Sequence, residues 1–407
     1  MPELRECVVV HGPELTPHRC HRFAWLGDTI TAIELGAEVS QLDHGGLVLI
    51  PGLTNGHTHI GDSAWPDGAT GLTLEEAFFR PHGYKYRQLA QVDPAAHLAH
   101  VIAHQRYMAR SGTTCHLDFR EQGPAGAHLL REASASTGVE SIILSQFTDS
   151  PFNEAALNAN TAPLPEAARN ELTTLLATAD GFSESTMNDL TDAAWREIRA
   201  ATDATGKWRA IHCLENAGYR EVSQTRTGCG DLARALDVFD PHLIVHLTVA
   251  HREEIAAVAR AGKTVVLNPR ANAVLGLPLP PIDRLQAAGV NLLLGTDNVM
   301  LNSPSLFTEM DFAWKLARSQ SGDSRVPSPT EILAMTTRNI RPLLGADHPG
   351  CLAKGLPATF VALDFQAPHL RHTRHLIASI VGRLSPADVL ATFRHGRALW
   401  QSPDFPL

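Results

Sequence analysis

Six side chains that can bind a metal or move a proton fall at or just beyond the ends of apolar runs: His57, His59, His212, Glu215, His246 and Asp297. His57 and His59 stand two apart in PGLTNGHTHIGDS. In a strand such residues share a face, so both imidazoles can reach one ion. Taken alone, the pair reads equally well as two unrelated surface histidines. His212 closes the run RAIHC, and Glu215 follows in HCLEN. A carboxyl beside a metal can carry protons between water and substrate; a glutamate opening a helix on a solvated face is the alternative. His246 ends LIVH, where it can hydrogen-bond water or polarise a substrate, whereas His251 beside Arg252 reads as a helix-terminus residue. Asp297 follows NLLLG; a lone aspartate after a strand is otherwise often a helix N-cap. Three imidazoles and a carboxylate suit one divalent ion, Zn²⁺ or alternatively Fe²⁺. With one position open, such an ion lowers the pKa of its water from ~15.7 towards ~7. The expected chemistry is metal-dependent hydrolysis, with His57, His59, His212 and Asp297 as ligands and Glu215, His246 and Asp297 as catalytic groups.

Eight apolar runs, at 53–60, 113–119, 141–147, 181–185, 209–214, 243–247, 264–267 and 291–295, alternate with helical stretches such as 94–111, 192–205, 252–261 and 283–288. Repeated βα units predict a parallel (β/α)₈ TIM barrel, whose active site sits at the C-terminal ends of the strands. The six residues fall at those ends. Further helices are expected within 151–178 and at about 304–318 and 328–344. Residues 1–50 read as short strands (CVVV, TAIEL, GLVLI), and so do ATFVALDF, IASIVGR and VLATFRHGRALW near the other end. Neither group can bury a face alone. They are expected to pack together as one small β-sandwich (1–50 with 346–407) beside a catalytic barrel (51–345).

The chain has 407 residues, enough for a barrel of ~250 residues plus a smaller module. Its six cysteines form no CxxC pair, which fits a reduced, cytoplasmic setting. The N-terminal residues lack the apolar core of a signal peptide, and no apolar run approaches the ~18 residues of a membrane span. The net charge of -9, without a basic block, argues against nucleic acid as a partner. The expected partner is a small-molecule substrate, with no membrane.

At these residues the sequence resembles the amidohydrolase superfamily, and within it the cytosine deaminase, chlorohydrolase and S-adenosylhomocysteine deaminase branch. PGLTNGHTH, HCLEN, VVLNPRAN, GTDN and CLAKGLPATFVALD carry the resemblance, which spans nearly the whole chain. It implies a metal held by His57, His59, His212 and Asp297, with Glu215 as proton shuttle and His246 orienting water or substrate. It further implies attack of a metal-bound hydroxide on an electrophilic ring carbon. Two-metal members carry a lysine on strand four; here that strand is GFSES, so a mononuclear site is expected. The segment ATFVALD departs from the family's usual Ala-Asp, at a place distant from the chemistry. Family members are often dimers, which makes a homodimer an expectation.

Substrate contacts are expected from Trp65, Phe78, Phe79 and His82 after strand one, Arg120 after strand two, and Arg270 and Asn272 after strand seven. Arg120 reads either as a bidentate clamp on a carboxylate or as a structural partner of Asp118 or Glu121. The aromatic cluster reads either as a pocket wall or as a helix's packing face. The leading function is deamination of an amino-substituted N-heterocycle or cyclic amidine. The alternatives are ring opening of a cyclic amide, as in imidazolonepropionase-like members, and a non-catalytic scaffold. Degenerate members of the last kind typically lose metal ligands, and all four are present here.

Overall fold

Runs that are apolar on both faces suit a parallel sheet covered by helices on one side and filled on the other. The computed structural model, which describes residues 2–407, arranges them in that way. In chain order the strands are β1 (Glu3–His11), β2 (Thr16–Leu26), β3 (Thr29–Glu38), β4 (Leu47–Pro51), β5 (Leu53–His59), β6 (Thr113–Arg120), β7 (Glu140–Ser145), β8 (Gly181–Glu184), β9 (Trp208–Cys213), β10 (Leu243–His246), β11 (Thr264–Leu267), β12 (Asn291–Leu294), β13 (Asp297–Asn298), β14 (Phe360–Asp364), β15 (Val389–Arg394) and β16 (Arg397–Gln401). From β5 to β12 each strand pairs in parallel with the next. The eight expected strands coincide with these to within two residues at each end.

After β12 the chain turns at Gly295 and Thr296 and continues as β13, which pairs with β5, Asp297 opposite Thr58 and Asn298 opposite His59. The two edges of this nine-stranded sheet are therefore successive halves of one extended segment, and the sheet curls round as in a TIM-like barrel. The joint requires glycine. A Cβ on Gly295 would lie 2.5 Å from Asn268 Oδ1 and 2.8 Å from the His57 backbone nitrogen. Leu117, Leu144, Ala210, Val245, Val266 and Leu293, from six different strands, form one buried cluster. The interior is filled there by apolar side chains, as in other barrels of this kind.

The strands outside the barrel differ from expectation. They form one seven-stranded sheet, in the order β16-β15-β14-β4-β1-β2-β3, where two facing sheets were expected. The reason is β4, which pairs in parallel with β1 and antiparallel with β14, so that the two chain ends join edge to edge. Alternation gives the sheet two apolar faces. Val8, Val48 and Ile50 join the core shared with the barrel helices, while Val9, Leu49 and Phe360 face a separate aromatic core. The sheet folds over that second core, bringing Trp25 of β2 to 5.3 Å from Phe393 of β15. IASIVGR, expected as a strand, is the helix Leu376–Arg383, burying Leu376, Ile377, Ile380 and Val381. Short apolar runs satisfy both periods, and here packing selects the helical one. The strand β2, with polar residues scattered through TPHRCHRFAWL, was not anticipated.

Candidate active site

The barrel brings all six sequence-selected residues to one mouth. His57 and His59 lie on β5, His212 is the penultimate residue of β9, His246 ends β10 and Asp297 opens β13. His57 Nε2 lies 3.2 Å from Asp297 Oδ1, and His59 Nε2 lies 3.8 Å from the same oxygen. Ligand atoms of His57, His59 and Asp297 fall within 4.8 Å of one another, as do those of His57, His212 and His246. His246 and Asp297 have φ of 78° and 62°. Side chains seldom hold such left-handed backbone, and it recurs where function requires it.

The surroundings suit metal ligation. His59 Nδ1 is 2.8 Å from Glu121 Oε1 and His212 Nδ1 is 3.2 Å from the Glu184 carbonyl. As donors there, both rings turn their Nε2 lone pairs inward. Burial pushes His57 down to about 4 and His212 well below the ordinary histidine value, so both imidazoles are neutral. Burial and Lys85 push His59 down, but Glu121 and Asp297 hold it above its usual value. Burial works to raise Asp297; His57, His246 and His59 outweigh it and keep the carboxylate ionised. Three imidazoles around an ionised carboxylate form a donor set that fits one divalent ion.

Glu215 and His246 complete the site. His246 Nε2 lies 3.6 Å from Glu215 Oε1 and 3.9 Å from Asp297 Oδ2. The Asn272 amide nitrogen is 3.3 Å from His246 Nδ1, an arrangement that leaves the proton on Nε2, facing the carboxylates. Glu215 accepts a hydrogen bond from the Tyr219 hydroxyl at 2.9 Å. Burial raises its pKa, with His246 opposing, and so moves it towards the range of an acid–base group. The Thr248 hydroxyl holds the Glu215 carbonyl at 2.6 Å.

A cavity of about 360 Å³ opens above these groups. Phe78 and Phe79 line it, but the other expected contacts do not. Trp65 packs on His97, with ring centroids 6.3 Å apart, and His82 lies outside, its carbonyl accepting from Arg87. Arg120 is fully buried behind the site. It donates to the Gly126 carbonyl at 3.0 Å and to Gln122 Oε1 at 3.0 Å, and lies 3.4 Å from Glu121. It is the structural partner and not the clamp. Arg270 turns to the Ser303 carbonyl at 3.3 Å and to Glu309 at 3.6 Å, and Asn272 supports His246 from behind.

Two residues that the sequence did not single out matter here. Lys85, from the helix Tyr84–Leu89, is buried on the cavity wall and ion-paired with Glu121, the carboxylate that holds His59. Tyr219 anchors Glu215. Lys85 enters from the long excursion after β5, where no strand-end rule applies; Tyr219 lies four residues beyond Glu215 in a helix, a spacing that places the two within reach. The β8 strand GFSE brings no lysine to the mouth, and its Glu184 is ion-paired with Arg80.

A curled parallel barrel with acid–base and ligand side chains gathered at its C-terminal mouth defines a barrel hydrolase. The chain belongs to the amidohydrolase family, whose model matches residues 48–399, and is a hydrolase acting on C–N bonds. It is 34% identical over 358 residues to a putative aminohydrolase of Methanothermobacter thermautotrophicus, covering 88% of this chain and 89% of that one. It is 26% identical over 388 residues to a 5-methylthioadenosine/S-adenosylhomocysteine deaminase of Syntrophobacter fumaroxidans, covering 88% and 82%. In fold it is similar to a crystal structure of an adenosine deaminase from Xanthomonas campestris with bound zinc, at a TM-score of 0.81 and 20% identity, over 98% of this chain and 93% of that one.

Proposed function

We propose that the chain hydrolytically deaminates an amino-substituted N-heterocycle at a single divalent-metal centre. The observation that carries this reading is the meeting of His57, His59, His212 and Asp297 with Glu215 and His246 at one cavity floor. The names of the relatives favour a 6-aminopurine nucleoside as the first substrate to assay. His57, His59, His212 and Asp297 would hold the ion. Zinc, present in the Xanthomonas structure, suits the donors, and Fe²⁺ fits the same set. Bound there, the ion supplies the Lewis acidity that makes hydroxide available from water near neutral pH.

The chain's own groups do the rest. The water oxygen bonds to the ring carbon bearing the amino group while Asp297 takes up a water proton. His246, protonated on Nε2, donates a hydrogen bond to the oxygen being added. Glu215 gives its proton to the adjacent ring nitrogen, takes the remaining proton of the added hydroxyl and passes it to the amino nitrogen; the C–N bond breaks, ammonia leaves a ring carbonyl behind, and the proton held by Asp297 returns to Glu215. The aromatic walls exclude bulk water, which strengthens each of these contacts.

The test is ammonia release by the zinc-loaded protein from aminopurine nucleosides, aminopyrimidines and aminotriazines, with cyclic amides alongside. Ammonia with a new ring carbonyl supports the reading. Ring opening of an amide without ammonia contradicts it and moves the chain to the cyclic amidohydrolases.

A further inference from the structure

The base of the barrel, opposite the catalytic mouth, carries a second cluster of donor atoms. Every other residue of a strand shares a face, and on β6 Leu117 and Phe119 point into the barrel interior with Leu144 of β7. Phe119 reaches up to the catalytic floor, its ring centroid 4.3 Å from that of His57. Two residues below Leu117 the same face carries Cys115, and its Cα partner across the strand pair is Glu140. A thiol and a carboxyl therefore stand side by side beneath an apolar layer, about 13 Å along the strand from Phe119.

His348 closes over them from the segment that follows the helix Arg341–Leu344. Ligand atoms of Cys115, Glu140 and His348 all lie within 4.8 Å of one another, and His348 Nε2 is 3.6 Å from Glu140 Oε2. That oxygen is buried and accepts no hydrogen bond among the described residues. Arg394 Nη2, from β15, stands 2.8 Å away without the direction of one. The three residues border a cavity of about 30 Å³, room for a single ion, and Asp347 brings a further carboxylate to its wall. A buried cysteine is more often only a small hydrophobe, and Glu140 with Arg394 could serve as a simple ion pair between barrel and sheet. Neither role accounts for a thiol, an imidazole and an unbonded carboxylate oxygen converging on one small space.

We propose that Cys115, Glu140 and His348 form a second metal site, which takes a divalent ion of the zinc class at the base of the barrel. Sulfur, nitrogen and oxygen donors are those of zinc sites, and a thiolate selects such ions over magnesium and calcium. On binding, the Cys115 S–H bond breaks, its proton passes to solvent and a sulfur–metal bond forms, so that thiolate and carboxylate balance the two charges of the ion. The ion would tie β6 and β7 to the chain that leaves the barrel for β14. A place at the N-terminal ends of barrel strands suits stability and not catalysis. Arg394 already offsets part of the charge of Glu140, so this site is weaker than the mouth and fills after it. The inference does not rest on the deaminase reading.

The probe is Co²⁺, added to the chain already holding one equivalent of zinc. The ligands at the mouth offer nitrogen and oxygen alone, so a sulfur-to-cobalt charge-transfer absorption reports on a thiolate site and not on the mouth. The band is expected to grow with cobalt and to saturate at one equivalent. Cys115→Ser should abolish it while keeping the zinc. His348→Ala should weaken cobalt binding at least about tenfold, since even the outer contacts of a metal site are worth that much. No band in the presence of excess cobalt, or a band that survives in Cys115→Ser, overturns the proposal. If Cys115→Ser does not fold, His348→Ala decides, and cobalt affinity unchanged in that variant overturns it as well.

Discussion

Glu215 is buried near the carboxylate of Asp297, and both burial and that neighbour make its ionisation costly. The nearby His246, the Tyr219 hydroxyl and His59 work against them. A carboxyl raised in this way is moved towards the range in which a general acid–base group works. Glu215→Gln keeps the Tyr219 contact but cannot exchange a proton. It is expected to retain metal, by elemental analysis, while losing about 10²–10⁴ in turnover. Asn272→Ala should keep the fold and the metal but free the His246 ring, lowering kcat by about 10–100-fold, as loss of an orienting partner does. Unchanged kcat in that variant would mean that the Asn272 contact does not set the tautomer. At this scale the six chemical residues were legible because strand ends are fixed points of a barrel. The substrate contacts were not. Arg120 stands at a strand end as expected, yet its guanidinium turns back to Glu121 and Gln122, a choice made by the loop around it.

At the scale of elements, strand eight holds the centre together. Its bend at Gly295 hands the chain from β11 to β5 and delivers Asp297 beside His57. Gly295→Ala would force a Cβ against His57 and Asn268. A destabilisation of about 1–3 kcal/mol is expected in urea melts, with weakened metal retention. The helix Leu306–Ser321 carries a second consequence. Glu309 on it is fully buried, with one oxygen accepting from the Arg270 amide and the other without a hydrogen-bond partner. Burial, with Arg270 opposing, pushes its carboxyl up to about 8. A carboxyl raised on folding binds more protons folded than unfolded, so its stabilisation is complete below the unfolded value and is lost as pH rises through about 8. Glu309→Gln should flatten the fall in melting temperature between about pH 5 and pH 9, and a variant as steep as the parent would remove Glu309 as the cause. The barrel strands were readable because runs apolar on both faces bounded by turns leave few alternatives. The helix Leu376–Arg383 was not, because eight apolar-rich residues satisfy both periodicities.

At the scale of the molecule, the barrel and the seven-stranded sheet share one large apolar core, and the ligands proposed for the metal come from three separate strands, β5, β9 and β13, with His246 of β10 beside them. An ion held across the mouth couples those strands, so its binding is linked to the stability of the whole. Stripping the protein with a chelator should lower its melting temperature by a few degrees, and zinc at about 100 times its Kd should restore about 2.7 kcal/mol. The same additions should leave Asp297→Ala unmoved. The union of the two chain ends in one module could be anticipated from segments that cannot bury a face alone. That the union is a single sheet could not, because it depends on β4 finding partners on both edges.

The most direct measurement of the central claim is ammonia formed per bound metal ion, with the 6-aminopurine nucleosides as substrate, for the parent chain and Glu215→Gln at matched zinc content. One ion per chain is expected in both, with steady ammonia release and a ring carbonyl product from the parent and almost none from Glu215→Gln. Ammonia at equal rates from both, or release that persists after the metal has been removed, would contradict it.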